Sequence, residues 1–124
     1  MHSFTSGTAQ PSDDAMETEH ACTVGDARDM TTLASDSVDL VVTSPPYPMI
    51  EMWDDLFAGL DPEIGAALDS GDGERAHDLM HAVLADAWRE VARVLRPGGI
   101  AVVNVGDATR SVDRFRVYDN HARV

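Results

Sequence analysis

The chain has 124 residues, enough for one small domain or part of a larger one. Its 22 acidic residues outnumber nine basic ones, all Arg, for a net charge of -13; such a surface is a poor partner for polyanions at low salt, because phosphate affinity comes from counterion release by Lys and Arg. The single cysteine, Cys22, excludes an intrachain disulfide and a thiolate metal cluster, and no apolar run approaches the ~20 residues of a membrane helix.

Met1 to His20 is rich in Ser, Thr, Asp and Glu and reads as a disordered tail without a basic-then-apolar leader pattern, so a cytoplasmic protein is expected. Residues 21–124 are the expected folded part. A short strand is predicted from Ala21 to Val24, with Cys22 packed in it as a small apolar side chain, leading into Gly25-Asp26. Ala27 to Ala34 follows as a short helix or turn. Val38-Asp39-Leu40-Val41-Val42 then has the length and β-branched content of a buried strand. Directly after it come Thr43-Ser44-Pro45-Pro46-Tyr47, which must lie where the strand ends, the edge at which open parallel sheets bind ligands.

Pro48 to Trp53 reads as a loop or short helix whose Met49, Ile50, Met52 and Trp53 are expected mainly in the core. Leu60 to Glu74 carries Asp61-Pro62 and Ser70-Gly71-Asp72-Gly73, a loop-like insertion with a short helix at Glu63 to Leu68; it is either a cover over a site or a plain surface excursion. A long amphipathic helix is predicted from Arg75 to Leu95, with Leu79, Val83, Leu84, Trp88, Val91, Val94 and Leu95 giving one face to lay on a sheet. Pro97-Gly98-Gly99 ends it, and Ile100 to Val105 forms a second buried strand. This order implies an α/β fold with a parallel sheet and a right-handed crossover. His77 and His81 have the spacing of a zinc-chelating pair, but with no third ligand in view they read as part of a polar helix face, and no metal is expected.

The residue types after the first long strand suggest a chemistry. Each proline lacks an N–H, and a residue before proline is held extended, so Ser44 and Pro45 present their oxygens with little local competition. Ser44 Oγ and the Pro45 carbonyl can accept from an exocyclic amine while Tyr47 offers a ring face to a planar base. Such an amine is a poor nucleophile because its lone pair is delocalised; two acceptors that bind its hydrogens draw it toward tetrahedral geometry and aim the lone pair. A stiff surface turn or a polyproline ligand is the competing reading of Ser44-Pro45-Pro46-Tyr47.

On Val24-Gly25-Asp26, Ser44-Pro45-Pro46-Tyr47 and Arg93-Val94-Leu95-Arg96-Pro97-Gly98-Gly99 followed by Ile100 to Asp107, the chain resembles the site-specific DNA amino-methyltransferases that modify cytosine N4 or adenine N6. The resemblance runs from about Ala21 to Val124. It implies a partial Rossmann-like methyltransferase fold, S-adenosylmethionine as cofactor, DNA as partner and a restriction-modification setting. It also implies a catalytic set of Ser44, Pro45, Pro46 and Tyr47, with a leading Ser favouring cytosine N4. Asp26 is placed like the acidic residue that in this family approaches the adenine of S-adenosylmethionine; it is equally well placed to cap a turn. Asn104, closing the second strand beside Ser44, is the next candidate to reach the base, ahead of Asp107, which reads as a cap.

That family also binds its cofactor through a glycine-rich Phe-x-Gly-x-Gly turn, where backbone approaches the methionine carboxylate closely. The turn does not occur in this sequence, and Arg114 to Arg123 reads as the start of a continuation without a folded end, with three Arg that could meet phosphate. The expectation is therefore the catalytic part of a methyltransferase, completed by a second polypeptide or a C-terminal part that supplies cofactor and target-recognition regions, or else a non-catalytic assembly module. The acidic surface is reconciled with a DNA substrate by a halophilic cytosol, where molar salt cuts the Debye length to about 3 Å.

Overall fold

The computed structural model describes residues 16–124. Most of the expected disordered tail, residues 1–15, lies outside the described residues. Strand β1 (Val38–Thr43) is followed by a single 3-10 turn at Glu51–Trp53, then helices α1 (Asp54–Leu60), α2 (Pro62–Asp69) and α3 (Gly73–Val94). Strands β2 (Leu95–Val103), β3 (Ala108–Ser111) and β4 (Phe115–Tyr118) complete the order. β1 and β2 form a parallel pair and β3 and β4 an antiparallel one, so the mixed α/β architecture and the parallel β-α-β unit are present, while a full Rossmann sheet is not.

Local chemistry sets the boundaries. Asp61 precedes Pro62 and is held extended, which breaks α1 from α2, and its carboxylate caps α2 by accepting from the Glu63 N–H at 3.0 Å. Asp72 does the same for α3 through the Arg75 N–H, also at 3.0 Å. Pro97 keeps Arg96 out of the helical region, so α3 stops at Val94 and the chain enters β2 directly. The register then jumps between the Val38–Leu95 and Leu40–Ile100 pairs, because Pro97-Gly98-Gly99, with Gly98 at φ 82°, bulges out of the ladder.

Several expectations are corrected. Residues 21–24 form no strand: Val24 is 99% exposed and Cys22 is exposed, because no strand among the described residues offers them a ladder. The segment 54–60, where no helix was expected, is α1; the short helix expected at Glu63 to Leu68 is present as α2, and the rest of the insertion at 60–74 runs into the start of α3. β1 and β2 are not buried strands; Leu40, Val42, Ile100 and Val102 are exposed, since nothing among the described residues covers that face of a two-stranded sheet. The core instead joins Phe57 of α1, Ile64 and Ala67 of α2, and Ala76, Met80, Val83 and Leu84 of α3 to Met49, Ala108 and Tyr118. Leu79 and Trp88 only flank it. Of the apolar residues after the proline motif, Met49 is in the core, Ile50 and Trp53 pack against it, and Met52 is exposed.

Candidate active site

The last rung of the parallel ladder fixes the geometry: the Asn104 N–H donates to the Thr43 carbonyl at 2.9 Å. Ser44 and Asn104 therefore leave the sheet side by side at its carboxyl edge. Pro45 and Pro46 carry the chain round so that Ser44 Oγ and Tyr47 Oη lie 3.2 Å apart. The half-buried Tyr47 ring packs on Gly106, where an added Cβ would sit 3.4 Å from Cε2, in van der Waals contact with the ring. The Ile50 N–H closes the turn on the Tyr47 carbonyl at 3.2 Å. Within it Met49 is fully buried at φ 66°, a left-handed conformation that a non-glycine residue holds only under constraint.

Asp26 does not present a free carboxylate. Its Oδ1 accepts from the Arg28 N–H at 2.8 Å, and both oxygens accept from the Arg28 guanidinium. It caps its own turn, and the Arg28 side chain holds its carboxyl below the usual range. Asp26 and Ser44, Pro45 and Pro46 nonetheless line one cleft of about 460 Å³, walled mainly by apolar side chains of β1, α1 and α3. Asn104 is exposed and sits outside that lining. Asp107 does not cap the turn that follows it, since β3 begins at Ala108; its Oδ1 instead accepts from the N–H groups of Asn120 and His121 at 2.8 and 3.2 Å and pairs with the His121 ring at 2.8 Å.

The arm carrying Asp26 is fastened to α3 by a network that sequence reasoning missed. Glu90 accepts from the Met30 N–H at 2.6 Å, and Arg93 donates to the carbonyls of Met30 and Leu33 at 2.9 and 3.0 Å. Arg93 holds the Glu90 carboxyl down to about 2. The only sequence signal was an acid and a base three apart on a helix, a spacing common on solvated faces. Asn120 was missed as well. The segment around it is folded rather than trailing: β3 and β4 pair, Arg116 binds Glu74, Arg123 binds Asp78 at 2.7 Å, and Asn120 is fully buried. Two of the three Arg expected to meet phosphate are thus engaged by carboxylates.

His77 and His81 are not on a polar face. Both are buried, with ring centroids 4.7 Å apart, and both Nε2 atoms lie 3.0 Å from Asn120 Oδ1. Among the described residues no group of three or more His, Cys, Asp or Glu is arranged to hold a metal, and no helix is long and apolar enough to cross a membrane.

The cleft can be tested against S-adenosylmethionine. Its apolar walls and the Asp26 carboxylate suit an adenosine group, and Trp88, on the same wall, has a buried Nε1–H without a partner. The residues present fit the adenosine half of that cofactor.

A parallel strand pair joined by a helical crossover makes this an α/β protein, with the Ser-Pro-Pro-Tyr turn at the carboxyl edge where open parallel sheets bind ligands. Residues 38–123 match the family model for N6/N4 methyltransferases, described as DNA methylase, and the chain belongs to that family. It is 48% identical over 110 residues to the Type II methyltransferase M.MthZI of Methanothermobacter thermautotrophicus, which covers 87% of this chain and 31% of the relative. It is 46% identical over 119 residues to the Type II methyltransferase M.MjaI of Methanocaldococcus jannaschii, covering 86% of this chain and 39% of the relative. A release factor glutamine methyltransferase of Caulobacter vibrioides is 40% identical over 90 residues, 67% of this chain and 27% of the relative. The chain thus spans roughly a third of the length of these curated relatives. No solved structure matches it.

Proposed function

We propose that the chain is the catalytic part of a site-specific DNA methyltransferase that moves the methyl group of S-adenosylmethionine to the exocyclic N4 amine of cytosine. The observation that carries this is the Ser44–Tyr47 pair at 3.2 Å, held at the carboxyl edge of the parallel ladder beside Asn104 and bordering the cleft that Asp26 also lines.

The cofactor supplies an electrophilic sulfonium methyl. The chain's residues supply position and charge. A cytosine flipped out of the duplex stacks on the Tyr47 ring and places its amine against Ser44 Oγ and the Pro45 carbonyl. When the Ser44 hydroxyl donates to Tyr47 Oη, both Ser44 lone pairs are free to accept an amine hydrogen, so Tyr47 serves as ring platform and as the acceptor that orients Ser44. Acceptors on the hydrogens localise the nitrogen lone pair, and the positive charge that develops on nitrogen during attack strengthens those hydrogen bonds. The methylated amine is a strong acid and loses its proton to water, so no strong base is needed. Asn104 is assigned to the base edge and Asp26 to the adenosine amine of the cofactor, the second sharing a carboxylate that both the Arg28 N–H and its guanidinium already contact.

A methyltransferase domain of this kind needs a methionine-binding turn and a target-reading region, which we assign to further polypeptide, in the same chain or a second one. Adenine N6 is the second reading for the acceptor, since both amines present two hydrogens to the same oxygens. The match to a glutamine methyltransferase keeps a side-chain amide as a third. The test is transfer of labelled methyl from S-adenosylmethionine to duplex DNA in molar KCl, with nucleosides from the digested product identified by mass. N4-methylcytosine is expected; N6-methyladenine replaces the acceptor assignment, and label on neither base, with the protein folded and completed by its downstream region, removes the DNA methyltransferase reading.

A further inference from the structure

Beyond the motif itself, one buried cluster holds the turn that carries it. Asn120 Nδ2 donates to the Pro48 carbonyl at 2.8 Å and to the Gly106 carbonyl at 3.0 Å. Pro48 follows Tyr47 directly, and Gly106 is the residue on which the Tyr47 ring packs. The side chain of Asn120 is therefore a clamp across both supports of that ring. These two carbonyls fix the orientation of the amide, because the flipped one would set Oδ1 against two other oxygens. Oδ1 then faces His77 Nε2 and His81 Nε2 and must accept from both, so both neutral imidazoles carry their proton on Nε2. What remains is Nδ1. In His77 it accepts from Arg123 Nη1 at 3.2 Å, and in His81 it is buried without a partner.

Taking Tyr47 as the platform for the target base, we propose that Asn120 is the positioning residue of the Tyr47 turn and that His77 and His81 hold it only while both rings are neutral. Adding a proton to His77 sets an N–H against the Arg123 guanidinium. Adding one to His81 creates a buried donor with no acceptor, which costs about 1–3 kcal/mol unless the ring moves. Either ring relieves this by rotating, which withdraws its Nε2–H from Asn120 and loosens the clamp on Pro48 and Gly106. The turn has stored strain with which to respond, since Met49 at φ 66° is restrained by its N–H to Met80 Sδ at 3.3 Å on the same helix face.

The charged groups around the pair pull both ways: Arg123 disfavours a proton on either ring, while Asp119, and for His77 also Asp78, favours one. On α3, Asp78 is occupied by Arg123 and Glu74 by Arg116 of β4. Tyr118 of β4 presents its ring to His77 at 5.2 Å. From the C-terminal turn, Arg123 opposes the cation and exposed Asp119 favours it. Burial is the largest influence and pushes both rings below the ordinary histidine value of 6.5.

The test is an NMR titration of the His and Tyr47 ring resonances from about pH 8 to about pH 5. Tyr47 is expected to shift with the midpoint of His77 or His81, below 6.5; Tyr47 resonances that stay fixed while both histidines titrate overturn the proposal. In the His77→Gln/His81→Gln variant, whose amides still donate to Asn120, the Tyr47 transition is expected to vanish, and its persistence at the same midpoint overturns the proposal too. Methyl transfer over the same pH series by the chain completed with its downstream region separates this from the functional reading. A kcat that falls with the Tyr47 transition, at unchanged cofactor affinity, supports both; coupling seen without transfer at any pH supports the clamp and sinks the methyltransferase assignment alone.

Discussion

Ser44 and Tyr47 divide one task, and their variants should separate the parts. Ser44→Ala removes an acceptor that strengthens only as the nitrogen becomes charged, so methyl transfer should drop by about 10²-fold. Tyr47→Ala loses a stacking surface worth about 1–3 kcal/mol, a fall of roughly 5- to 150-fold. Tyr47→Phe keeps the ring and loses only the contact to Ser44 Oγ, so a loss of about 5-fold is expected. Cofactor affinity by calorimetry should stay nearly constant in all three, because none of the changes touches the Asp26 arm; a large affinity loss in each would reverse the role assignment. That arm depends on Glu90. With its folded value near 2 against an ordinary 4.5, Glu90 is stabilising above pH 4.5, and that contribution is lost only as pH falls through about 2. Glu90→Gln at neutral pH should therefore speed hydrogen exchange at the Met30 amide and weaken S-adenosylmethionine, while leaving Tyr47 resonances in place.

Between elements, the ion pairs differ by burial more than by distance. Arg110 of β3 grips Asp54 at the start of α1 through two bonds of 2.7 and 2.6 Å, with both side chains about four-fifths buried. Arg75 and Glu63 meet at 2.8 Å with both more than half exposed. Arg110→Ala should cost about 2 kcal/mol in chemical denaturation, because a largely desolvated carboxylate is left without its partner. Arg75→Ala should cost less than about 0.5 kcal/mol. The elements themselves were unequally legible. β1, α3 and the Ser-Pro-Pro-Tyr turn were readable because each rests on local pattern: a β-branched run, an apolar helical stripe, two fixed φ angles. α1 was missed because Asp54-Asp55 and the Asp61-Pro62 break make a seven-residue helix look like loop, and its one buried residue, Phe57, gives no period. The expected strand at 21–24 failed for the opposite reason: a strand is defined by its neighbour, and among the described residues none lies beside that segment. Asn120 and the inward-facing histidines were invisible because their roles come from contacts more than thirty residues apart in the chain.

On the scale of the molecule, charge and exposed apolar surface act together. Eight of the nine Arg are committed to carboxylates, those of Asp26, Glu63, Asp86, Glu90, Asp39, Asp54, Glu74 and Asp78. Among the described residues the remaining acids have no Arg partner, and the mutual repulsion of the carboxylates behind the net charge of -13 opposes compactness. Leu40 pairs with Ile100 and Val42 with Val102 in the parallel ladder, so four exposed apolar side chains share one sheet face, which the proposed completing polypeptide would cover. Salt affects these features in opposite directions. It screens repulsion among the unpaired acids, and it also screens the exposed Arg pairs, each of which contributes at most about 1 kcal/mol. Repulsion is the larger effect because it sums over the whole excess of carboxylates, while most of the pairs are solvated. Raising KCl from about 0.1 M to about 2 M, which shortens the Debye length from about 10 Å toward 3 Å, should raise the unfolding midpoint. An equal concentration of uncharged osmolyte at matched water activity should not reproduce the full rise. Sedimentation across the same series should show weak self-association growing with salt, as charge ceases to keep the apolar sheet faces apart; Val42→Thr with Ile100→Thr should suppress that association while leaving the salt-dependent rise in midpoint intact.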